Sequence, residues 1–343
     1  MFNPKFTITN KLLENIKYIN SLVLGLNHQK FSNLVLMELE KLACEVSSHA
    51  STSIEGNPLP LTDVKRLIKL NPKNLRDTEK EVLNYNNILK KINKEISKDK
   101  ISFSLDLILK IHSGVVKNLL LPDEVGTIRK RPVFINNPFL RRTVYWPPNH
   151  DDVPNLMGEL VKFIKNKHND IDPIILAGIF HKQFILIHPF MDGNGRTARL
   201  VTKVLLAKMG LNTFNLFSFE NYYNQNVSKY FEFVGELGDY YELKDNIDYT
   251  HWLEYFTGGI IDELLRVQKI LNLMEDRTGS VFSYDQKILD FIGRNGQIKN
   301  SDYAKLVKRS KAARTKDFQR LVKMKLIEMK AKGKATYYVS KEK

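Results

Sequence analysis

Apolar residues recur every three or four positions through most of the chain, the period of an amphipathic helix. This spacing predicts helices over 10–26 and 31–48; in the second, Val35, Leu39, Leu42 and Val46 fall on one face. Gly56-Asn57-Pro58-Leu59-Pro60 interrupts the pattern, and Thr62-Asp63 is placed to cap a helix containing Val64, Leu67 and Ile68. Further helices are expected over 77–95 and 104–120, the latter with Leu105, Ile108, Ile111, His112 and Val115. The period then changes. Pro132-Val133-Phe134-Ile135 and Thr143-Val144-Tyr145-Trp146 are short β-prone runs flanking a long turn, which reads as a hairpin stopped by Pro147-Pro148. Helices resume over 153–166, over 173–187 with Pro173 at a first helical position, from Gly195 to Met209, and within 248–273. The fold class expected is mainly α with one β-hairpin. No internal repeat or low-complexity segment is seen.

Composition adds limits. The chain has 343 residues, enough for one large domain or two, with 43% hydrophobic and 27% charged residues, ordinary for a globular protein. A single cysteine, Cys44, excludes an internal disulfide and a cysteine-built zinc site. No stretch reaches the roughly 18 apolar residues of a membrane-crossing helix, and the first 20 residues lack the apolar core of a secretory signal. A cytoplasmic protein with no membrane contact is expected. The net charge of +15 is uneven: residues 280–343 hold 17 Lys and Arg against 6 Asp and Glu, whereas the first 279 hold 36 against 32. Such asymmetry suggests a separate module that meets an anionic partner, the alternative being a solvated basic tail.

The strongest chemical signal is His188-Pro189-Phe190-Met191-Asp192-Gly193-Asn194-Gly195-Arg196-Thr197-Ala198-Arg199, set between two apolar helices. Gly193-Asn194-Gly195 frees backbone amides at the positive end of a helix, where anions bind. Arg196 and Arg199 are three apart and share a helix face, and both can grip phosphate oxygens in bidentate fashion. Asp192 is an oxygen ligand suited to Mg²⁺, and His188 could take a proton from a hydroxyl. Together these parts describe phosphoryl- or nucleotidyl-transfer chemistry.

The string matches at every specified position the signature HPFx[D/E]GNGRxxR, and the chain resembles the Fic (filamentation-induced-by-cAMP) family. Gly126-Thr127-Ile128-Arg129, Tyr145-Trp146-Pro147-Pro148 and the spacing of His181 and Phe184 extend the likeness to roughly residues 30–275. The resemblance implies a protein adenylyltransferase that moves AMP from ATP to a Ser, Thr or Tyr hydroxyl of a protein, its own included. It implies His188 as base and Asp192 as the Mg²⁺ ligand. Gly193, Asn194 and Gly195 would form the anion hole, and Arg196 and Arg199 would hold the β- and γ-phosphates. Thr197 and Phe231 complete the expected ATP-binding set, Phe231 standing beside Tyr230 where the family often has a Tyr-Tyr pair. The hairpin 132–146 would be the flap that docks the target hydroxyl. Ser51-Thr52-Ser53-Ile54-Glu55-Gly56-Asn57 resembles the family's inhibitory motif [S/T]xxxE[G/N]. It implies that Glu55, supported by Ser51 and Gly56, pairs with Arg199 and blocks the γ-phosphate subsite.

Beyond this core, helices over 284–294, 300–308 and 310–325 precede β-prone runs at 326–329 and 335–339 that bracket Lys330-Ala331-Lys332-Gly333-Lys334. This resembles a winged helix-turn-helix, with Lys311, Arg314, Lys316 and Arg320 toward duplex DNA and Lys332 and Lys334 on the wing; a protein-docking module is the alternative. The expected organisation is an N-terminal helical region 1–100 with the motif at 51–57, a Fic core 101–275 and a winged helix 280–343. Two other functions are carried: a Fic enzyme with a different donor or with AMP-removing activity, and a DNA-binding regulator whose core only senses nucleotide. An oligomer is left open.

Overall fold

The computed structural model describes residues 2–29, 31, 33–137, 142–167, 169–207, 215–278, 281–324, 326–331, 333 and 336–340. The expected turn residues 138–141, the helix end at Met209 and the wing residues Lys332 and Lys334 lie outside them. The chain divides into two compact units, Met1–Gln29 with Leu39–Val267, and Lys30–Glu38 with Gln268–Lys343.

The first unit is helical, as its periodicity predicts. Helix α1 (Asn10–His28) is capped by Thr9, whose hydroxyl accepts from Leu12 N. Helix α2 (Asn33–Ile54) runs further than the spacing indicates and carries the inhibitory-like motif at its C-terminal end. Of the apolar face read from this helix, Leu39 is buried and Val46 half-buried but Leu42 is exposed, while Ala43, Cys44, Ser47, Ser48, Ala50 and Ser51 turn inward. Small side chains let α2 approach its neighbours, and the serines find partners there, Ser47 Oγ donating to Ser218 Oγ at 2.7 Å.

Helix α3 (Leu61–Leu70) starts ahead of the expected cap at Thr62-Asp63. Pro60 is its N-cap, so Thr62 and Asp63 sit within the first turn, where Asp63 favours the positive helix end. Helix α4 (Asp77–Ile96) and helix α5 (Leu105–Val115), capped by Ser104, follow.

Strands β1 (Ile135–Asn137) and β2 (Arg142–Trp146) form the expected antiparallel hairpin, with β1 starting only at Ile135. Proline cannot donate to a ladder, which keeps Pro132 outside it. A strand that the sequence pattern did not indicate, β3 (Gly238–Asp239), pairs parallel to β2, so the sheet order is β1-β2-β3 and β1 is an outer strand. Helices α6 (Val153–Lys167), α7 (Pro173–Ile187) and α8 (Asn194–Leu206) follow the hairpin. Short helices α9 (Glu220–Gln225), α10 (Val227–Val234) and α11 (Tyr240–Leu243) lead to α12 (Thr250–Thr278), one long helix rather than several.

Helices α7 and α8 are the centre of this unit. Every residue of α7 except Pro173 and Ile185 is buried, as is every residue of α8 except Lys203. A helix apolar on all sides must lie in a core. Trp252 of α12 donates its indole N–H to Gly178 O at 2.8 Å. Gly178 permits this approach, since a Cβ there would stand 2.6 Å from Leu253 Cδ2. Phe180 packs edge-on against Phe103, centroids 5.6 Å apart.

The second unit contains α13 (Val281–Asn295), β4 (Gln297–Ile298), α14 (Asn300–Leu306), α15 (Lys311–Lys323), β5 (Ile327–Lys330) and β6 (Tyr337–Ser340). Its three antiparallel strands are ordered β4-β6-β5. Ile288, Ile292, Ile298, Tyr303, Val307, Phe318, Leu321 and Ile327 form its own core. Two residues expected to face outward do not do so freely. Arg320 binds Asp285 with two donors at 2.6 Å and reaches Asp317 at 2.9 Å, and Arg314 donates to Asn300 Oδ1 at 2.9 Å and to Arg309 O. Asp285 and Asp317 are fully buried and require such partners. Among the described residues, no helix is long and apolar enough to cross a membrane.

Truncation of the central ring tests this core. Phe180→Ala should lower the unfolding free energy by about 3–5 kcal/mol, read from urea unfolding; a change below about 1 kcal/mol would contradict its place in the core.

Candidate functional site

The signature string folds as a loop between the two buried helices. Helix α7 ends because His188 takes the left-handed conformation, φ 50°, its N–H bonded to Phe184 O at 3.0 Å. Asn194 closes the loop on itself. Its Oδ1 accepts from Phe190 N and its Nδ2 donates to Phe190 O, both at 2.9 Å. Gly193, φ 77°, is the N-cap of α8 and offers no side chain to cap it. A Cβ there would stand 2.7 Å from Val116 Cγ1. The first N–H groups of α8 are therefore left without a capping side chain, the arrangement that binds oxyanions.

Two side chains support the loop from beneath. His112 of α5 is fully buried, and its ring stacks on Phe190 with centroids 3.7 Å apart. Gly126 N donates to its Nδ1 at 3.1 Å, which leaves the proton on Nε2 to donate to Asp192 O at 3.0 Å. Burial pushes this imidazole down to about 4. Arg129 is also buried and donates from Nε to His188 O at 2.8 Å.

The two arginines of α8 differ in their surroundings. Arg196 is 2% exposed. Its Nη2 donates to Asp192 Oδ2 at 2.7 Å and its Nη1 stands 3.6 Å from Glu81 Oε1. Its Nε and Nη1 make no hydrogen bond, nor does the buried hydroxyl of Thr197. Arg199 is fully buried and almost saturated. Nε donates to Ser51 Oγ at 2.8 Å, and Nη2 donates to Ser51 O at 2.8 Å and to Glu55 Oε1 at 2.7 Å. Burial works against its charge, but Glu55, Tyr230 and Tyr85 outweigh this and raise its pKa.

Behind Arg199 the polar groups form a consistent chain. Tyr230 OH lies 3.5 Å from Nη1 and 2.9 Å from His181 Nε2, whose Nδ1 lies 3.0 Å from Thr202 Oγ1. Thr202 donates to Ala198 O, so it accepts from His181 Nδ1, and Tyr230 donates to His181 Nε2. Burial, then the charge of Arg199, holds His181 well below its ordinary pKa.

Glu55 reaches Arg199 because of how α2 ends. Gly56 N bonds to Ser53 O and Asn57 N to Thr52 O, with Gly56 at φ 91°. This is a Schellman stop, which glycine adopts without strain. It leaves Glu55 as the last residue before the reversal. Gly195 completes the fit, since a Cβ on it would stand 2.1 Å from Glu55 Oε1. Asn57 then spans Thr78 O at 2.8 Å and Glu81 Oε2 at 2.7 Å, which fixes the turn to α4.

His188 is half-buried. Its Nδ1 lies 3.2 Å from Ile185 O, a group that can only accept, so Nδ1 carries the proton and Nε2 keeps a free lone pair. Burial lowers its pKa to about 4; the Ile185 carbonyl, Glu55 and Asp192 oppose this shift, and Arg129 adds to it. The imidazole is thus a neutral acceptor at ordinary pH.

The structure brings together His188, Asp192, Gly193, Asn194, Gly195, Arg196, Thr197 and Arg199, and sets Ser51 and Glu55 against them, with Gly56 making the turn behind Glu55. Phe231 is different. It lies exposed on α10, its ring 5.2 Å from that of Tyr230, which is turned into the core. The motif reading passed over Glu81 and His112 as site neighbours, and set Tyr230 beside Phe231 in the expected pair rather than against Arg199. Glu81 has no signal in the sequence, because only the packing of α4 brings it to Arg196.

With this geometry in view, residues 102–206 match the family model described as Fic/DOC family. The chain carries a Fic domain. It is 29% identical over 184 residues to a protein adenylyltransferase Fic of Drosophila erecta, covering 52% of this chain and 35% of that protein. It is 31% identical over 166 residues to protein adenylyltransferase fic-1 of Caenorhabditis elegans, covering 47% and 31%. The chain spans about a third of the length of the curated relatives it matches. Among solved structures it is similar in fold to a Fic family protein of Desulfovibrio desulfuricans G20, with TM-score 0.65, 20% identity and coverage of 100% of this chain and 99% of that one. A Fic-1 fragment of C. elegans gives TM-score 0.58 at 22% identity, covering 78% and 73%.

The depressed histidines of the Fic domain have a measurable consequence. His112 and His188 titrate near 4 when folded and near 6.5 when unfolded. Between these values the unfolded chain binds more protons, so stability rises with pH. Unfolding free energy should therefore fall as pH drops from 7 to 5; a flat profile would contradict the buried neutral state of these rings.

Proposed function

We propose that the chain is a protein adenylyltransferase that transfers AMP from ATP to Ser, Thr or Tyr hydroxyls of proteins, including its own. One observation carries this reading. A neutral histidine, a set of uncapped helix amides and a buried arginine with unsatisfied donors converge on one loop. The names of the relatives matched over about half the chain support it.

In this reading His188 Nε2 takes the proton of the target hydroxyl. The oxygen then attacks the α-phosphorus, the bond to the bridging oxygen breaks, and pyrophosphate leaves. The amides of Gly193, Asn194 and Gly195 face the charge that builds on the α-phosphate, where preorganised donors are most effective. Arg196 offers its two free donors to the β-phosphate, Arg199 serves the γ-phosphate, Thr197 adds its unpartnered hydroxyl, and Phe231 offers an exposed ring to adenine. Asp192, 55% exposed at the loop, fits a Mg²⁺ site in which one carboxylate and the phosphates supply the oxygens. When bound, the ion would neutralise phosphate charge. The outer edge of β1 in the hairpin 132–146 is suited to pair with a target segment.

Glu55 acts as a brake in the same reading. Arg199 Nη2 cannot serve Glu55 Oε1 at 2.7 Å and a γ-phosphate oxygen at once. Glu55→Gly should raise self-labelling with ATP and Mg²⁺ by about ten-fold or more, the factor that about 1.4 kcal/mol represents; equal labelling of the two would remove the brake. His188→Ala should abolish transfer while retaining ATP binding by calorimetry, and persistent transfer would remove the base assignment.

A second activity is favoured by the C-terminal charge. We read the second unit as a winged helix-turn-helix that binds duplex DNA through the exposed face of α15, where Lys311, Lys316 and Lys323 are not engaged by the acids that hold Arg320. Binding of the full chain to duplex DNA should weaken with salt, and a K311E/K316E/K323E variant should flatten the log–log slope by about 3. Absence of salt-dependent binding would assign this unit to protein contact.

A further inference from the structure

Arg129 poses a question that the signature does not answer. Its guanidinium is buried, at 3% exposure, and among the described residues no carboxylate pairs with it. Instead it is surrounded by main-chain carbonyls. Nε donates to His188 O at 2.8 Å, Nη2 to Pro148 O at 2.5 Å and to Ile187 O at 3.5 Å, and Nη1 to Arg131 O at 3.2 Å. Its own backbone N donates to Pro189 O at 2.9 Å.

These acceptors have a pattern. Ile187 and His188 are the last carbonyls of α7, which have no partner within the helix and lie at its negative end. A cation there is favourably placed, which offsets the cost of burying it unpaired. Arg131 and Pro148 are the two feet of the hairpin, one before β1 and one after β2. A planar fork can serve all four carbonyls at once, whereas an ammonium on a flexible stem cannot.

We propose that Arg129 is a positioning residue that locks the main chain of His188 to both feet of the flap, so that base and docked hydroxyl are held in one frame. This rests on the adenylyltransferase reading. The left-handed His188 is a conformation that must be held by its surroundings, and its imidazole follows its backbone. Arg129 also faces the imidazole electrostatically, together with Glu55 and Asp192. Arg129 touches none of the phosphate-binding donors, so nucleotide affinity should not depend on it.

The test uses the full chain in a Glu55→Gly background. Arg129→Lys keeps the charge but loses the fork. Its kcat for self-labelling should fall about 100-fold, the scale of a 1 Å misplacement, with KM for ATP unchanged within about two-fold and the acid limb of the pH profile unmoved. Arg129→Gln should lower kcat and shift the acid limb to higher pH, because the charge that disfavours the imidazolium is gone while the Asp192 carboxylate remains. The His188 imidazole is titrated by NMR in parallel, and thermal unfolding confirms that each variant is folded. Arg129→Lys with parental kcat, or Arg129→Gln with an unmoved His188 titration, overturns the proposal. Should the parent fail to use ATP, the adenylyltransferase reading fails separately, while the NMR titration still decides the role of Arg129.

Discussion

The organisation of the site follows from one buried charge. Arg199 has no contact with solvent, and an isolated guanidinium in a protein interior costs several kcal/mol. The fold must therefore bring partners to it. Ser51 supplies a hydroxyl and a carbonyl, Glu55 a carboxylate, and Tyr230 an oxygen backed by His181 and Thr202. These partners come from α2, α7, α8 and α10, so the requirement of a single cation sets the mutual placement of four helices.

The same requirement explains why a carboxylate stands beside Arg199. A carboxylate oxygen and a phosphate oxygen present similar acceptors to a guanidinium. Glu55 supplies such an oxygen to Arg199, 2.7 Å from Nη2. Arg196, one helical turn away, is treated differently: Asp192 and Glu81 flank it, yet two of its donors stay open. Adjacent arginines of one motif thus have opposite ground states, one saturated and one waiting.

Much of this was legible in the sequence. The helical periods located most elements, and twelve contiguous residues defined the loop because their chemistry is local in the chain. The motif at 51–57 was legible for the same reason, since the stop that aims Glu55 lies within three residues of it. What the sequence concealed was nonlocal. Beyond Leu39 and Cys44 the inward face of α2 is built largely of serine and alanine, so a search for apolar spacing found Leu39 but added the exposed Leu42. Strand β3 is two residues long and exists only because β2 offers it an edge. Glu81 and His112 sit on ordinary helical surfaces whose meaning depends on what packs against them. In the second unit, composition counted Arg314 and Arg320 as outward charges, whereas the buried acids Asp285 and Asp317 and the side chain of Asn300 draw them in.

Helix α8 has a further implication for how such a chain can vary. With every residue but Lys203 enclosed, the helix has no free surface on which substitutions could accumulate without disturbing neighbours on several sides. The turn after α2 is the reverse: Glu55 and Gly56 are exposed, and one hydrogen-bonded reversal fixes their geometry. A substitution on α8 should then disturb packing on several sides at once, whereas one at the exposed turn after α2 alters only the local reversal and the carboxylate that meets Arg199.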